Sequence, residues 1–448
     1  MPTYALVDGN SFYASCQIAF QPNLKNRPVV VLSNNDGCVV AANQIAKDLE
    51  KKQPRQYGEG GYHAANGKNM MFQPYFKVAP LLKKHGTVVF SSNYELYADM
   101  SQRMHSIARQ FAIRQEIYSI DESFLDFSHL PNNELVAHAQ QLKERVNQWI
   151  GVPVAVGIGS SKTQAKLANH LAKKIPSMNG VLDLKNMPIA TRHALYKKVK
   201  VSSIWGVGKR LSQQLEARQI RTALDLCQVN IKTLRKQFSV NMERTVRELS
   251  GEACFGFAET PDDKKNIVSS RSFGVLVESY PQLREAISTY TATAAEKLRK
   301  QNGCAQLITI GIRTNPYQTN GAQYSNQLSV PLIYPSDSSI LLTKMANKAL
   351  QQIWRPGFQY HKASVMLSKI QPKQALQTDL FAPNPQYSGN PKSDQLMLTL
   401  DKINQQMGKQ TIQLASSGIK DKTWKMNRRL MSPRYTTRWE DLLCIRAN

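Results

Sequence analysis

Acidic residues are scarce in this 448-residue chain: 32 Asp and Glu stand against 58 Lys and Arg, leaving a formal charge of +26 at pH 7. A deficit of that size calls for a polyanionic partner. No low-complexity basic block carries the excess, which excludes a histone-like tail. The imbalance is also uneven. Residues 1–130 hold 13 basic and 11 acidic residues, a net of +2, whereas residues 131–448 hold 45 and 21, a net of +24. Cysteine is sparse as well, and the six (Cys16, Cys38, Cys227, Cys254, Cys304, Cys444) show no CxxC pairing, which argues against a structural zinc site. No signal-peptide pattern is present, and no apolar run approaches the roughly 18 residues that a membrane span requires. A cytoplasmic protein with reduced thiols and no membrane partner is therefore expected. The length exceeds what one core can serve, so three or four domains are expected.

What the chain does have is a pair of neighbouring carboxylates in an apolar setting. Asp121 and Glu122 lie within residues 118–124, flanked by Ile117, Ile120, Phe124, Leu125 and Phe127, a pattern that predicts a buried hairpin or strand pair. Ionised carboxylates crowded into a partly buried place repel each other unless a cation neutralises them. Mg²⁺ suits the role, since it takes hard oxygen ligands and is commonly held by one or two carboxylates plus substrate phosphates. Taken alone, the stretch fits turn capping equally well. Asp8 shifts the balance. An apolar strand over residues 3–7 runs into Asp8, and a turn then leads to a helix start. Three acids, Asp8, Asp121 and Glu122, can hold two metal ions for in-line phosphoryl or nucleotidyl transfer.

Four motifs follow in a specific order. Asp8, Asn10 and Phe12-Tyr13-Ala14-Ser15-Cys16 come first, then Ser33-Asn34-Asn35-Asp36-Gly37-Cys38-Val39-Val40. Ser91-Ser92-Asn93-Tyr94-Glu95-Leu96-Tyr97-Ala98-Asp99-Met100 and residues 118–123 complete the set. Together they resemble the Y-family DNA polymerases over nearly the whole chain, and the region 392–448 resembles that of the UmuC-type branch. The resemblance implies an α/β and α+β multidomain fold, a right-hand polymerase with palm, fingers, helix-hairpin-helix thumb and β-α-β-β-α-β little finger. It divides the chain into palm (1–32 and 91–185), fingers (33–90), thumb (186–258), linker (259–266), little finger (267–371), a flexible clamp-binding segment (372–391) and the C-terminal region (392–448).

Local patterns add detail. Residues 28–32 predict a strand, and residues 39–47 lead into a helix. Glycine and polar residues within 51–71 read as a surface insertion that departs from the family pattern. Leu96, Met100, Met104, Ile107, Ala108 and Phe111 recur at helical spacing, as do Leu135, Ala139, Leu142, Val146 and Trp149. Residues 153–159 return as a strand, and a helix is expected over residues 162–174. Gly206 and Gly208 before Lys209 and Arg210 have the form of a helix-hairpin-helix, whose glycines let backbone amides approach a DNA phosphate. From residue 269 the order is strand, helix, strand, strand, helix, strand, with Arg271 in the first strand. Leu396, Leu400 and Ile403 predict a short helix. The basic and aromatic residues beyond it suit single-stranded DNA or a protein, and the pattern does not choose.

The resemblance also implies roles. Asp8 and Asp121 bridge two Mg²⁺ ions, Glu122 completes the site, and the Gly9 carbonyl is a further ligand. Tyr13 is the steric gate against a ribose 2′-hydroxyl, with Phe12 in the core. Lys47 and Lys173 hold the triphosphate. Gln377, Leu380 and Phe381 form a sliding-clamp peptide, with Thr378 where an apolar residue is usual. The implied function is error-prone translesion synthesis in the SOS response. Its partners would be primer-template DNA, deoxynucleoside triphosphates, the clamp, a processed UmuD-type dimer and RecA. Two rival classes are a catalytically silent DNA- and clamp-binding scaffold and a two-metal nucleotidyl cyclase. Retention of the acids with Tyr13, Lys47 and Lys173 speaks against the first, and the DNA-gripping features speak against the second.

Overall fold

The computed structural model describes residues 2–49, 70–258, 263–318, 321–375, 391–418, 422 and 424–442. Most of the insertion, residues 259–262 of the linker, and the peptide Gln377, Leu380 and Phe381 lie outside the described residues. The chain divides into two compact units. Met1–Ser33, Gly37–Thr260 and Leu430–Asn448 make the first, and Asn34–Asp36 with Pro261–Arg429 make the second.

Eight strands are described in the first unit: β1 (Tyr4–Gly9), β2 (Val29–Leu32), β3 (Val39–Ala42), β4 (Val88–Ser91), β5 (Gln115–Ile117), β6 (Glu122–Asp126), β7 (Val154–Gly159) and β8 (Val181–Asp183). They form a five-stranded sheet in the order β5-β6-β1-β7-β8 and a three-stranded sheet in the order β3-β2-β4. β1 lies at the centre of the larger sheet, antiparallel to both β6 and β7. Its side chains alternate, and both sides are buried. Ala5 and Val7 pack in a core with Leu96, Met100, Met104, Leu142 and Val146, whereas Tyr4 and Leu6 pack with Phe124 and Ala165. Such a strand reads as an unbroken apolar run because neither face meets water. The Tyr94–Arg109 and Leu135–Ile150 helices thus belong to the first core, and Lys162–Lys174 covers the opposite face.

That third helix lies unusually close to the sheet. A Cβ at Gly157 would collide with the Ala165 carbonyl and the Asn169 backbone, so only glycine permits the approach. Asn169 then ties the helix down, donating to the Leu6 carbonyl at 3.3 Å and the Ala155 carbonyl at 2.8 Å. Leu167 and Leu171 of the same helix face another cluster with Leu215, Leu226, Val246 and Leu249. There Gly206 has φ +85°, and Gly208 opens the Lys209–Glu216 helix.

The second unit follows the anticipated element order: β9 (Ile267–Val277), helix Tyr280–Lys300, β10 (Gly303–Arg313), β11 (Ser325–Ser336), helix Ser339–Ile353 and β12 (Tyr360–Pro372). The sheet order is β11-β10-β12-β9, with every pairing antiparallel. Ile287, Tyr290 and Ala294 of one helix and Leu342, Ala346 and Leu350 of the other share its core. The Pro391–Gln406 helix is fixed by Asp401, which receives the Arg299 guanidinium at 2.6 and 2.7 Å.

Four local expectations need correction. Val39–Ala42 is a strand, and the helix begins only at Gln44, with the Asn43 side chain accepting from Ala46 N. The β-branched Val39-Val40 pair follows its pairing with β2 rather than the helix after it. Trp149 is 57 % exposed, with the Arg145 guanidinium 5.5 Å from its ring, instead of being buried with Val146. Ile117 is 60 % exposed, because it ends the edge strand β5. In the Pro391–Gln406 helix Met397 is the buried anchor, while Leu396 faces out.

Candidate active site

Asp8 ends β1, and Glu122 opens β6 directly opposite it in the ladder. Directly paired residues point to the same face, here the face covered by Lys162–Lys174. Asp121 precedes Glu122 in the turn, and its carbonyl accepts from Gly9 N at 2.9 Å. The Ser119 hydroxyl donates to Asp121 Oδ1 at 2.7 Å, and His105 of the Tyr94–Arg109 helix holds the Ser119 carbonyl at 3.1 Å. The expected acids therefore stand on adjacent strands and one buttressed turn.

Their electrostatics follow from burial. The Asp8 carboxyl is pushed up to about 6, first by burial, with Glu122 and Asp121 adding repulsion and Lys173 opposing. Lys173 Nζ lies 2.6 Å from Asp8 Oδ1, and Lys166 Nζ lies 3.2 Å from Glu122. Lys162 pairs with Glu116 at 2.6 Å. One face of one helix thus sets three ammonium groups along three acids. Among the described residues, no group of three or more His, Cys, Asp and Glu is placed to hold a metal ion by itself. The donor set still fits Mg²⁺, which keeps several ligands from water and substrate phosphates and needs only one or two carboxylates from the protein. Asp8, Asp121 and Glu122 offer hard carboxylate oxygens whose mutual repulsion a cation would relieve.

Next to these acids is a cavity of about 240 Å³ lined by Ser11, Phe12, Tyr13, Lys47, Met71 and Asp121, among others. Ser11 has a left-handed backbone, φ +48°, which costs a non-glycine residue on the order of 1–3 kcal/mol and turns the chain from β1 into the Phe12–Phe20 helix. Lys47 Nζ donates to Ser11 Oγ at 2.9 Å. The Lys47 ammonium is pulled below its usual range by burial and then by the charge of Lys173. Tyr13 is half-buried, and its ring stacks on Tyr97 at 4.4 Å and 12°. Phe12 is buried, as anticipated.

The other expected contacts fall elsewhere. Gly206, Gly208, Lys209 and Arg210 are all exposed, with nothing near a Cβ at Gly208. Arg271 is exposed on β9. Sequence reasoning missed Lys166, Lys162, His105 and Ser119. The lysines carried a signal, since 162, 166 and 173 fall on one helical face. His105 carried none, because its partner lies on another element.

A strand-borne acid set beside a cavity lined by Lys47 and Asp121 is a candidate site for phosphoryl or nucleotidyl transfer, and the fold around it has known counterparts. The chain matches a Y-family DNA polymerase chimera with a TM-score of 0.60 at 18 % identity, over 83 % of this chain and 99 % of that one. An insertion ternary complex of Dbh DNA polymerase matches with a TM-score of 0.51 at 18 % identity, over 83 % and 99 %. Residues 7–56 and 62–170 match the impB/mucB/samB family, residues 264–380 its C-terminal domain, and residues 394–445 a domain of unknown function. Protein UmuC of Salmonella typhimurium is 42 % identical over 99 % of this chain and 100 % of its own length. Protein MucB of Escherichia coli is 41 % identical over 98 % of each, and DNA polymerase IV of Pelotomaculum thermopropionicum is 25 % identical over 84 % and 87 %. The chain belongs to the impB/mucB/samB family within the Y-family of polymerases, and is a DNA-directed DNA polymerase.

Proposed function

We propose that this polymerase performs error-prone translesion synthesis as part of the SOS response. The observation that carries the reading is the acid set Asp8, Asp121 and Glu122 beside a cavity lined by Tyr13, Lys47 and Asp121. When bound, two Mg²⁺ ions would supply activation of the primer 3′-hydroxyl and stabilisation of the triphosphate and its leaving pyrophosphate. The chain's own residues do the rest. Asp8, Asp121 and Glu122 would hold the ions, with the Gly9 carbonyl as a further oxygen ligand. Lys47 and Lys173 face the triphosphate, Lys173 exchanging its bond to Asp8 for one to phosphate. The Tyr13 ring, held by Tyr97, closes the cavity where a 2′-hydroxyl would sit.

The domain roles belong to the same proposal. Residues 1–32 and 91–185 serve as palm, 33–90 as fingers, 186–258 as thumb and 267–371 as little finger. Gly206, Gly208, Lys209 and Arg210 grip a backbone phosphate, and Arg271 contacts the duplex from β9. The partners are primer-template DNA and deoxynucleoside triphosphates, with a processed UmuD-type dimer, RecA and, through Gln377, Leu380 and Phe381, the sliding clamp. A cytoplasmic setting follows from that function, and no helix among the described residues is long and apolar enough to cross a membrane.

Primer extension on an undamaged template and on one carrying a blocking lesion tests the reading. Extension past the lesion is expected, and synthesis that always halts one nucleotide before it defeats the translesion assignment. A second expectation concerns charge. With a net of +24 in residues 131–448, duplex affinity should fall steeply with salt, by about 0.9 log unit per log unit of salt for each phosphate contacted. A flat log–log plot would mean that the excess charge serves something other than phosphate.

A further inference from the structure

The chain leaves the first unit after Thr260 and is counted in it again from Leu430. There it joins β4. Ser91, the last residue of that strand, forms a parallel bridge with Met431. Ser91 N donates to the Leu430 carbonyl at 2.9 Å, and Leu430 N donates to Ser91 Oγ at 2.9 Å. Asn93, fully buried, divides its amide between two tasks. Its Oδ1 accepts from Leu96 N and caps the Tyr94–Arg109 helix. Its Nδ2 donates to the Ser432 carbonyl and hydroxyl and to the Pro433 carbonyl, at 3.1–3.2 Å. Tyr435 then stacks on Phe20 at 4.8 Å and 8°, and its hydroxyl accepts from Gln21 Nε2 at 2.8 Å.

The two places gripped are the ends of the two helices that hold Tyr13. Phe20 and Gln21 end the Phe12–Phe20 helix, which carries Tyr13. Asn93 begins the helix that carries Tyr97, the ring on which Tyr13 stacks. Gln17 also joins these helices, donating to the Tyr97 hydroxyl at 2.9 Å. A strap fastened to the end of one helix and the start of the other would hold the angle between them, and with it the tilt of the Tyr13 ring. If it detached, the buried Asn93 donor would lose its partners, so the seated state is favoured.

We propose that residues 430–435 are a positioning strap that sets nucleotide affinity and sugar discrimination through the Tyr13–Tyr97 stack. This gives a role to part of the 394–445 region, and it rests on the reading of Tyr13 as a sugar gate. None of the strap residues named lines the cavity, so they act through the elements they fasten.

The test uses the full chain with Asn93→Asp and Tyr435→Ala, singly and together. Asn93→Asp keeps the capping oxygen but turns the donor into an acceptor facing two carbonyls. Tyr435→Phe, which keeps the stack, is the conservative control. Trypsin sensitivity at Arg434 and Arg438 reports release of the strap. Single-nucleotide extension with deoxy- and ribonucleotides reports its consequence. In the double variant, faster cleavage is expected, together with a rise in deoxynucleotide KM of about tenfold at nearly constant kcat. The ribonucleotide-to-deoxyribonucleotide ratio should rise as well, with Tyr435→Phe close to the parent. Release with KM and ratio unchanged overturns the proposal, as does a strap still protected in the double variant. A fall in kcat and melting temperature with the ratio unchanged means a merely structural seam, and also overturns it. Tyr13→Ala in the same assay separates the two readings. If it leaves the ratio unmoved, the gate fails and the KM shift alone decides the strap.

Discussion

Asp121→Asn should lower nucleotide incorporation at least about a thousandfold, the equivalent of some 4 kcal/mol at about 1.4 kcal/mol per decade. The same substitution should leave the fold and duplex binding intact. The backbone bond from Gly9 N to the Asp121 carbonyl does not involve the side chain. The Ser119 hydroxyl, which donates to Oδ1, can donate equally to an asparagine oxygen. Shape and hydrogen bonding survive while the charge goes.

Stability should even hold or rise slightly. Asp8 is already strained by burial and by its acidic neighbours, and Asp121 is one of the groups that push its carboxyl upward. Removing that charge relieves repulsion in the metal-free protein. A residue that adds nothing to stability but is essential to turnover is the mark of a group kept for its ligand. Extension kinetics, a melting curve and duplex titration on one preparation make the comparison. Near-normal extension would sink the metal assignment, and a large drop in melting temperature would show that Asp121 serves the turn instead.

The elements that position these acids were legible because they are bounded locally. An apolar run into Asp8 announced β1. The Leu135–Ile150 helix spans the positions its periodicity marks and stops where Gly151, at φ +67°, ends it with a left-handed cap. Ser161 marks the start of Lys162–Lys174 by accepting from Gln164 N. What stayed hidden depends on distant partners. Periodicity placed Lys162, Lys166 and Lys173 on one face, yet only the approach allowed by Gly157 shows which acids they meet. Val39–Ala42 became a strand because β2 was there to pair with it. The return of residues 430–435 had no local signal, since Ser91 and Asn93 lie some 340 positions earlier. The tail's aromatics looked available for nucleic acid or a partner, but Trp424 and Tyr435 are buried, and of these three Trp439 alone is exposed.

Tyr13→Ala should raise ribonucleotide incorporation by about an order of magnitude or more while deoxynucleotide use survives at some cost in rate. The ring lines the cavity beside Asp121 and Lys47, five residues beyond Asp8. Its stack on Tyr97 and its edge contact with Tyr94, at 6.2 Å, hold it in one orientation. On the proposed gate, a planar ring so fixed would leave no room for a 2′-hydroxyl, whereas alanine would. The competing account is packing, since Tyr13 also borders the core that contains Phe12 and Tyr97. A fully buried aromatic truncated to alanine costs roughly 3–5 kcal/mol. Tyr13 is only half-buried, so the loss should be nearer the aromatic pair's own share, about 0.5–1.5 kcal/mol, plus a modest area term. The two accounts separate cleanly. A gate changes the ratio of sugars at nearly constant stability, and a packing residue lowers both activities and the melting temperature together. Tyr13→Phe keeps the ring and should keep the discrimination. Single-nucleotide extension with each sugar, run beside melting curves for both variants, decides the matter. A folded, active Tyr13→Ala protein with unchanged sugar preference would remove Tyr13 from the site.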